Sequence, residues 1–416
     1  MTGVTVLGMD AAGAPPHPAA APALACAGLV VGAARHLAAV TLPAGCPTVT
    51  LGPLAPALDR LVAAVAAGTP AVVLASGDPG LFGIVRRLRA AGLPLRVLPA
   101  VSSVAAAFAR AGLPWDGAAV VTAHGRDPRP ALNACRALPA VAVLTAPGAG
   151  AAEIGAGLAG WSRRLVIAEH LGTDDERITE TTPEAAARRG WADPHVLLSL
   201  AVPATADPVP GAVPRAAAPA AGMRADNQPA AAPAGGWALP ESAYAHRDSM
   251  ITKSEVRALA VARLCPRLGR LVWDVGAGSG AVGVECALLG AAVIAVERDP
   301  GAVELIRANA ARHAVDVRVV PGRAPGALAG LPEPDAVFVG GGGLDVLTAV
   351  ANRRPGRVVV TLAALDRVAP AVRLLRDTGY TVQGVQLSAA RLADLPGGSV
   401  RLAATNPVVV LTGEPS

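Results

Sequence analysis

Leu271-Val272-Trp273-Asp274-Val275-Gly276-Ala277-Gly278-Ser279-Gly280 is an apolar run ending in three alternate glycines. This is the pattern of a buried parallel strand that turns through a tight loop into a helix. Gly276, Gly278 and Gly280 let the backbone approach a ligand where a Cβ would collide. Residues 281–289 have helical spacing, so the free N–H groups of their first turn point at whatever the loop holds. Ala291 to Val296 predicts a second strand ending in Glu297, about 20 residues after the first glycine, where a carboxylate takes two ribose hydroxyls. The unit is therefore read as a nucleoside-cofactor site, with Gly276, Ala277, Gly278, Ser279, Gly280 and Glu297 as contacts. Gly278, Gly280 and Gly283 also satisfy the dinucleotide fingerprint. Asp274 inside the strand end and an apparent terminal strand pair, Tyr380 to Leu387 and Pro407 to Thr412, favour S-adenosyl-L-methionine over a nicotinamide.

Around this unit, 416 residues are enough for two or three domains with sizeable cores. Pro22 interrupts the alanine-rich run from Ala19 to Ala34, and no stretch matches the roughly 18 consecutive strongly apolar residues of a membrane span. The opening residues carry no basic segment and lead straight into a strand, so a cytoplasmic protein without a membrane partner is expected. Five well-separated cysteines with no C-x-x-C pair fit reduced thiols and predict no metal site. The formal charge is +5, but Lys253 is the single lysine and arginine supplies the rest. With aromatics at 2% there are few rings on which to stack bases, so nucleic acid is not the expected partner. A small molecule bearing several carboxylates accounts for the positive balance.

The N-terminal part reads as alternating strands and helices. Val4 to Gly13 is a strand with a glycine-containing turn, and Gly28 to Gly32 is the next strand. His36 follows on a helix, as a solvated or capped side chain rather than a catalyst. Ala71 to Ser76 predicts a buried strand that Gly77-Asp78-Pro79-Gly80 turns into a helix over Leu81 to Ala91. Asp78 and Pro79 fit the N-cap and first helical position; alternatively, the loop lies against a ligand at the carboxyl edge of the sheet. Strand Leu95 to Leu98 leads to Ser102 and Ser103, which suit the start of an amphipathic helix. Further strands are expected at Ala119 to Ala123, Val141 to Thr145, Leu165 to Ala168 and His195 to Ala201.

Residues 204–235 are Pro, Ala and Gly with almost no large apolar side chain, the composition of a flexible tether. Beyond it, Thr252 and Glu255 form a capping-box pattern at the start of a helix running to Leu264. Lys253 is a candidate for a substrate carboxylate. After the fourth strand, Asp335 to Gly340, the run Gly340-Gly341-Gly342-Gly343 offers a bare backbone surface to a large flat molecule. Arg391 and Arg401, on the connection between the last two strands, are candidates for gripping acetate or propionate groups.

These residues carry a resemblance over nearly the whole chain. Gly236 to Gly413 resembles the C-terminal domain of the precorrin-6B (precorrin-6Y) C-5,15-methyltransferase family, the decarboxylating enzymes of cobalamin biosynthesis. The likeness runs through Trp237-Ala-Leu-Pro-Glu241, His246-Arg-Asp248, Ile251-Thr-Lys-Ser-Glu-Val-Arg257, Trp273 to Gly280, Val296-Glu-Arg-Asp-Pro300, Phe338-Val-Gly-Gly341 and Asn406-Pro407. The first 200 residues resemble the tetrapyrrole methylase family through Ser76-Gly-Asp-Pro-Gly-Leu-Phe-Gly83, Pro99-Ala-Val-Ser-Ser-Val104, Gly112-Leu-Pro-Trp115 and His124-Gly-Arg126. The implied fold is α/β throughout: a two-lobed tetrapyrrole methylase domain over 1–203, the linker 204–235, and a Rossmann-like methyltransferase domain over 236–416. The resemblance implies one S-adenosyl-L-methionine per domain. It puts Gly8, Gly77, Asp78, Pro79, Ser102 and Ser103 near the first, and Thr252 and Ala324 near the second. Two departures stand out: the first loop, Gly8 to Gly13, is looser than the family's glycine-rich turn, and Arg323 replaces a usual acidic residue.

By resemblance, the N-terminal domain methylates carbon 5 of a corrinoid precursor. By the same resemblance the C-terminal domain methylates carbon 15 and removes the carboxyl group of the carbon-12 acetate; Lys253, Gly340, Gly341 and Arg391, read from their chemistry above, are the candidates for the tetrapyrrole. Methyl transfer from a sulfonium asks mainly for positioning, and the protonated ring can serve as electron sink for decarboxylation, so no catalytic acid or base is assigned. A homo-oligomer is the expected assembly. An RNA methyltransferase and a non-catalytic N-terminal docking module are the alternatives.

Overall fold

The computed structural model describes residues 3–10, 13–202, 237–247 and 251–416; the tether expected over 204–235 lies outside them. The chain divides into two compact units. One comprises Met1–Arg126, Ala142–Ala156 and Arg164–Ser199, the other Asp127–Val141, Gly157–Arg163 and Leu200–Ser416.

The N-terminal strands are β1 (Val4–Met9), β2 (Leu29–Gly32), β3 (Thr48–Thr50), β4 (Ala71–Ser76) and β5 (Leu95–Leu98). They form a sheet in the order β3-β2-β4-β1-β5, with every neighbouring pair parallel. Both faces are covered: Val4, Val6, Val31 and Val73 pack with Leu61 and Leu88, while Leu7, Met9, Val30 and Leu74 pack with Leu24. Burial on two sides is why these strands read as continuous apolar runs. A second sheet, β6 (Ala119–Thr122), β7 (Ala140–Leu144), β8 (Arg163–Glu169), β9 (Arg177–Thr181) and β10 (His195–Ala201), has the order β6-β7-β10-β8-β9. Strands β3 and β9 were not expected. Both are edge strands with polar, partly exposed side chains, so neither carries an apolar run.

The C-terminal sheet contains β11 (Leu271–Val275), β12 (Ala292–Glu297), β13 (Arg318–Pro321), β14 (Ala336–Val339), β15 (Arg357–Leu362), β16 (Tyr380–Leu387) and, past a hairpin of β17 (Ala390–Asp394) and β18 (Val400–Ala404), β19 (Val408–Pro415). Its order is β13-β12-β11-β14-β15-β19-β16. Five strands are parallel, and β19 lies antiparallel between β15 and β16, the terminal pair expected from the sequence. Trp273 and Val275 enter one core with Val337 and Val358, and Val272 enters the opposite one with Val256, Val282 and Val359.

The segment ahead of this sheet is held by charge in the interior. Glu285, on helix Ala281–Leu288, and Arg257, on helix Ser254–Leu264, are both fully buried and meet at 2.6 Å. The Glu285 carboxylate also accepts from the N–H groups of Ala238 and Leu239 and from the Tyr244 hydroxyl. Arg257 donates to the carbonyls of Thr252 and Leu239. Such a buried pair persists because each guanidinium nitrogen and each carboxylate oxygen has a partner.

The expected capping box is absent: Lys253 is the N-cap and gives no side-chain bond. Glu241 accepts the Ser254 N–H at 3.0 Å instead, and the Glu255 carboxylate is turned to Arg391.

Candidate functional site

At the carboxyl ends of β11, β12 and β14 lies a cleft of about 580 Å³, within the range of small-molecule sites. Its floor is the glycine loop. Gly276, Gly278 and Gly280 have φ of +72°, +57° and +73°, the left-handed region that side chains avoid. A Cβ on Gly276 would sit 3.0 Å from the Gly341 nitrogen, so the loops after β11 and β14 touch backbone to backbone. The Gly276 N–H is held by Val296 and that of Gly340 by Val275. Asn309 fixes the loop from behind, donating to the Ser279 carbonyl at 2.8 Å and pairing both ways with Ala245.

Glu297 ends β12 in the cleft wall. Its Oε2 accepts from the Gly278 N–H at 2.8 Å, and its Oε1 accepts from Arg298 and Asp299 at 2.8 and 3.0 Å. One further acceptor position on Oε2 remains for a ligand hydroxyl. Asp274 lies fully buried beneath the loop. Its Oδ2 accepts from the Gly283 N–H at 2.8 Å, while Oδ1 has no partner among the described residues. Burial, with the Glu297 charge nearby, pushes this carboxyl up to about 7. A Cβ on Gly283 would come within 3.0 Å of Oδ2, so the third fingerprint glycine makes room for Asp274 as well as for helix packing.

Of the residues read from the sequence, the cleft brings together Gly276, Gly278, Ser279, Glu297, Ala324, Gly340 and Gly341. Ala277 and Gly280 belong to the same loop but do not line it; a Cβ on Gly280 would strike Ile306 at 2.9 Å. Thr252 and Lys253 do not line it either. Arg391 is committed elsewhere: Nε, Nη1 and Nη2 bond the carboxylates of Glu241 and Glu255 at 2.6–3.0 Å. Those carboxylates hold the guanidinium charged, and Arg391 in turn draws Glu241 down to about 2. Contrary to its reading as a free grip for a substrate carboxylate, Arg391 here fastens the β17–β18 hairpin. Arg401 is exposed on β18.

The cleft also recruits Arg247, Arg298, Asp299, Leu305, Arg323 and Asp345. Asp299 had a legible signal: followed by Pro300, it caps helix Pro300–Arg312 by accepting from Gly301 at 3.1 Å, and its other oxygen pairs with Arg247. Asp345, on the helix after the glycine run, had none.

In the N-terminal sheet the sequence-read residues gather at the carboxyl ends of β1, β4 and β5. A Cβ on Gly8 would lie 2.3 Å from both the Ala100 nitrogen and the Gly77 oxygen, so only glycine fits. Gly77 has φ +60° and donates to Met9 at 2.7 Å. The helix after this loop begins at Val85, not Leu81. Asp78 therefore caps a turn, accepting from Gly80 at 2.8 Å, and Pro79 is a buried turn residue. Phe82 at φ +53° breaks the expected first helical turn. Ser102 is the N-cap of helix Ser103–Ala111, accepting from Ala105 at 3.1 Å. His36 is not solvated: it is 6% exposed, with Nε2 held 3.2 Å from the Ser76 hydroxyl.

Comparison with known proteins gives two family matches: a precorrin methyltransferase domain over residues 242–412, and the tetrapyrrole (corrin/porphyrin) methylases over 18–187. The chain is 37% identical over 355 residues to a Sinorhizobium protein named precorrin-6Y C(5,15)-methyltransferase [decarboxylating], covering 81% of this chain and 79% of that one. It is 36% identical over 184 residues to a Pyrobaculum calidifontis protein named "Probable cobalt-precorrin-6B C(15)-methyltransferase (decarboxylating)", covering 42% of this chain and 94% of that one. A crystal structure of precorrin-6y C5,15-methyltransferase from Geobacter metallireducens matches with TM-score 0.41 and 32% identity, over 43% of this chain and 97% of that one.

Proposed function

The chain belongs to the family of decarboxylating precorrin-6Y C(5,15)-methyltransferases, and from that premise we propose that it methylates a precorrin-6B-type ring at carbons 5 and 15 and removes the carboxyl group of the carbon-12 acetate. Residues 1–203 serve carbon 5. Residues 236–416 serve carbon 15 and the decarboxylation, and 204–235 tether the two. The Pyrobaculum relative supports this division, since nearly all of it aligns with 42% of this chain and its name carries the carbon-15 and decarboxylating activities alone.

The observation that carries the reading is the cleft between the Gly276–Gly280 loop and Glu297. Its size, its left-handed glycines and its acidic strand end fit S-adenosyl-L-methionine. When bound, that cofactor supplies a methyl group already activated on sulfur. The chain's part is to bind, orient and keep water out. Glu297 would hold a ribose hydroxyl through the acceptor position that remains on Oε2. Ala324 and Pro325 flank the base, and the exposed Gly340 and Gly341 give the flat ring an approach without side chains. A second S-adenosyl-L-methionine sits at the carboxyl edge of the N-terminal sheet against Gly8, Gly77, Asp78, Pro79, Ser102 and Ser103. No general acid or base is assigned, and neither nucleic acid nor membrane enters this reading.

Five free cysteines suit the cytoplasm. Self-association through the β17–β18 hairpin is supported by Leu392 and Leu402, which pair across it at 74% and 68% exposure, an apolar face that a second copy would cover. The direct test of the function is mass spectrometry of the product made by purified protein from S-adenosyl-L-methionine and the metal-free precursor. Two added methyl groups and one lost carboxyl group are expected; a singly methylated product with its carboxyl retained would refute the reading.

A further inference from the structure

Beside the N-terminal ligand loop stands a side-chain cluster that the proposed chemistry does not use. His36, on helix Ala34–Ala38 just after β2, is 6% exposed. Its Nε2 lies 3.3 Å from Arg35 Nε and 3.2 Å from the hydroxyl of Ser76, the last residue of β4. Arg35 Nη2 donates to that hydroxyl at 2.9 Å. The three close a ring: Arg35 donates from Nη2 to Ser76 Oγ and from Nε to His36 Nε2, and the Ser76 hydroxyl, 3.2 Å from the same imidazole nitrogen, shares that nitrogen's single lone pair. This arrangement requires a neutral imidazole with a free lone pair on Nε2. Burial, and then the Arg35 charge, lower the histidine from its ordinary value and keep it so.

The consequence lies in the guanidinium. A guanidinium offers two forks, Nε with Nη2 along its side and Nη1 with Nη2 at its end. Arg177 and Arg391 are also held through more than one nitrogen by other side chains, and their partners are carboxylates: Glu169 for the first, Glu241 and Glu255 for the second. Arg35 is held in the same manner, but by two neutral acceptors. Arg35 has no ion pair with a carboxylate among the described residues, the side chain as a whole is exposed, and Nη1 is not used by Ser76 or His36. The structure thus orders a long side chain without neutralising it, which is what pre-organised recognition of an anion requires. The cluster stands at the carboxyl edge of a parallel sheet, where ligands of this architecture bind, and Ser76 runs directly into Gly77 and Asp78.

We propose that Arg35, steered by His36 and Ser76, is a carboxylate anchor of the N-terminal domain, its end fork receiving a carboxylate of the bound ligand. This rests on the carbon-5 assignment made above. Two ligands there bear carboxylates, the tetrapyrrole and the methionine end of the cofactor, and one set of measurements distinguishes them. The full-length protein is assayed as wild type, Arg35→Ala, Arg35→Lys and Ser76→Ala. Mass spectrometry follows carbon-5 and carbon-15 methylation separately, and calorimetry follows S-adenosylhomocysteine binding. Loss of a charge-assisted fork raises the ligand constant about 10- to 100-fold. If the anchor serves the ring, Arg35→Ala raises the tetrapyrrole KM for carbon 5 with kcat held. If it serves the cofactor, the affinity for one of two S-adenosylhomocysteine equivalents falls instead and the other is unchanged. In both cases Arg35→Lys restores little, because an ammonium cannot fork, and carbon-15 methylation is unchanged. Ser76→Ala, which removes one acceptor and little bulk, moves the same constant by less. Neither constant moving while carbon-5 methylation proceeds overturns the anchor. Wild-type protein making no carbon-5 product overturns the underlying assignment instead.

Discussion

Asp274 is buried beneath the glycine loop with one oxygen on the Gly283 N–H and the other unpartnered. Its carboxyl, pushed up to about 7, keeps its proton in the folded chain over a range where the unfolded chain has lost it. Between the ordinary aspartate value and 7 the folded state binds more protons, so this residue makes stability fall as pH rises through that window and level off above it. Asp274→Asn keeps an acceptor for Gly283 and removes the titration. Urea unfolding at pH 5 and pH 8 should show the wild-type difference shrink by on the order of 2–4 kcal/mol; an unchanged difference would place the titrating group elsewhere. The sequence marked Asp274 and Glu297 by position alone, because strand ends and loop length are set locally. It could not reveal that Glu297 spends three acceptor positions on backbone N–H groups, since those donors come from the turn that the carboxylate itself organises.

Among the elements, the β17–β18 hairpin departs furthest from the sequence reading. Its short strands mix polar and apolar residues and have no buried face, so the stretch reads as a connection. Arg391 ties it to Glu241 and Glu255, and the guanidinium draws Glu241 down to about 2. The tie is intact above the ordinary glutamate value and is lost as pH falls through about 2. Partial exposure and solvent screening keep its worth modest, roughly 1 kcal/mol. Arg391→Ala should speed amide hydrogen exchange in 390–404 and at the start of helix Ser254–Leu264, leaving β11 and β12 protected. Exchange unaltered in the hairpin would mean that its own strand pairing suffices. The central strands, by contrast, were legible nearly to the residue, because burial on two faces leaves a continuous apolar signature. The helix after Asp78 started late because a left-handed Phe82 has no marker in the sequence.

For the molecule as a whole, the proposed division of labour, which two family matches on two stretches of chain support, predicts two chemistries that fail separately. Asp78→Ala should lose only the carbon-5 methyl, and Glu297→Ala only the carbon-15 methyl with the associated carbon dioxide release, each at least about tenfold slower for its own step. Product masses from the two variants check this; a single variant abolishing both methyl additions would show that the steps are coupled. The fold class, and the two sheet edges where the sequence-read residues gather, were readable because glycine loops and strand ends are local. The Arg257–Glu285 pair was not, because its partners come from stretches that look unrelated until they are packed together.

That interior pair also dictates where the polypeptide tolerates scissors. The matched domain starts at residue 242, yet the Ala238 and Leu239 N–H groups cap the Glu285 carboxylate and the Leu239 carbonyl accepts a hydrogen bond from Arg257. An excised C-terminal piece beginning at 242 would strand a desolvated acid and a desolvated base together, whereas one beginning upstream of Trp237 carries its own stopper.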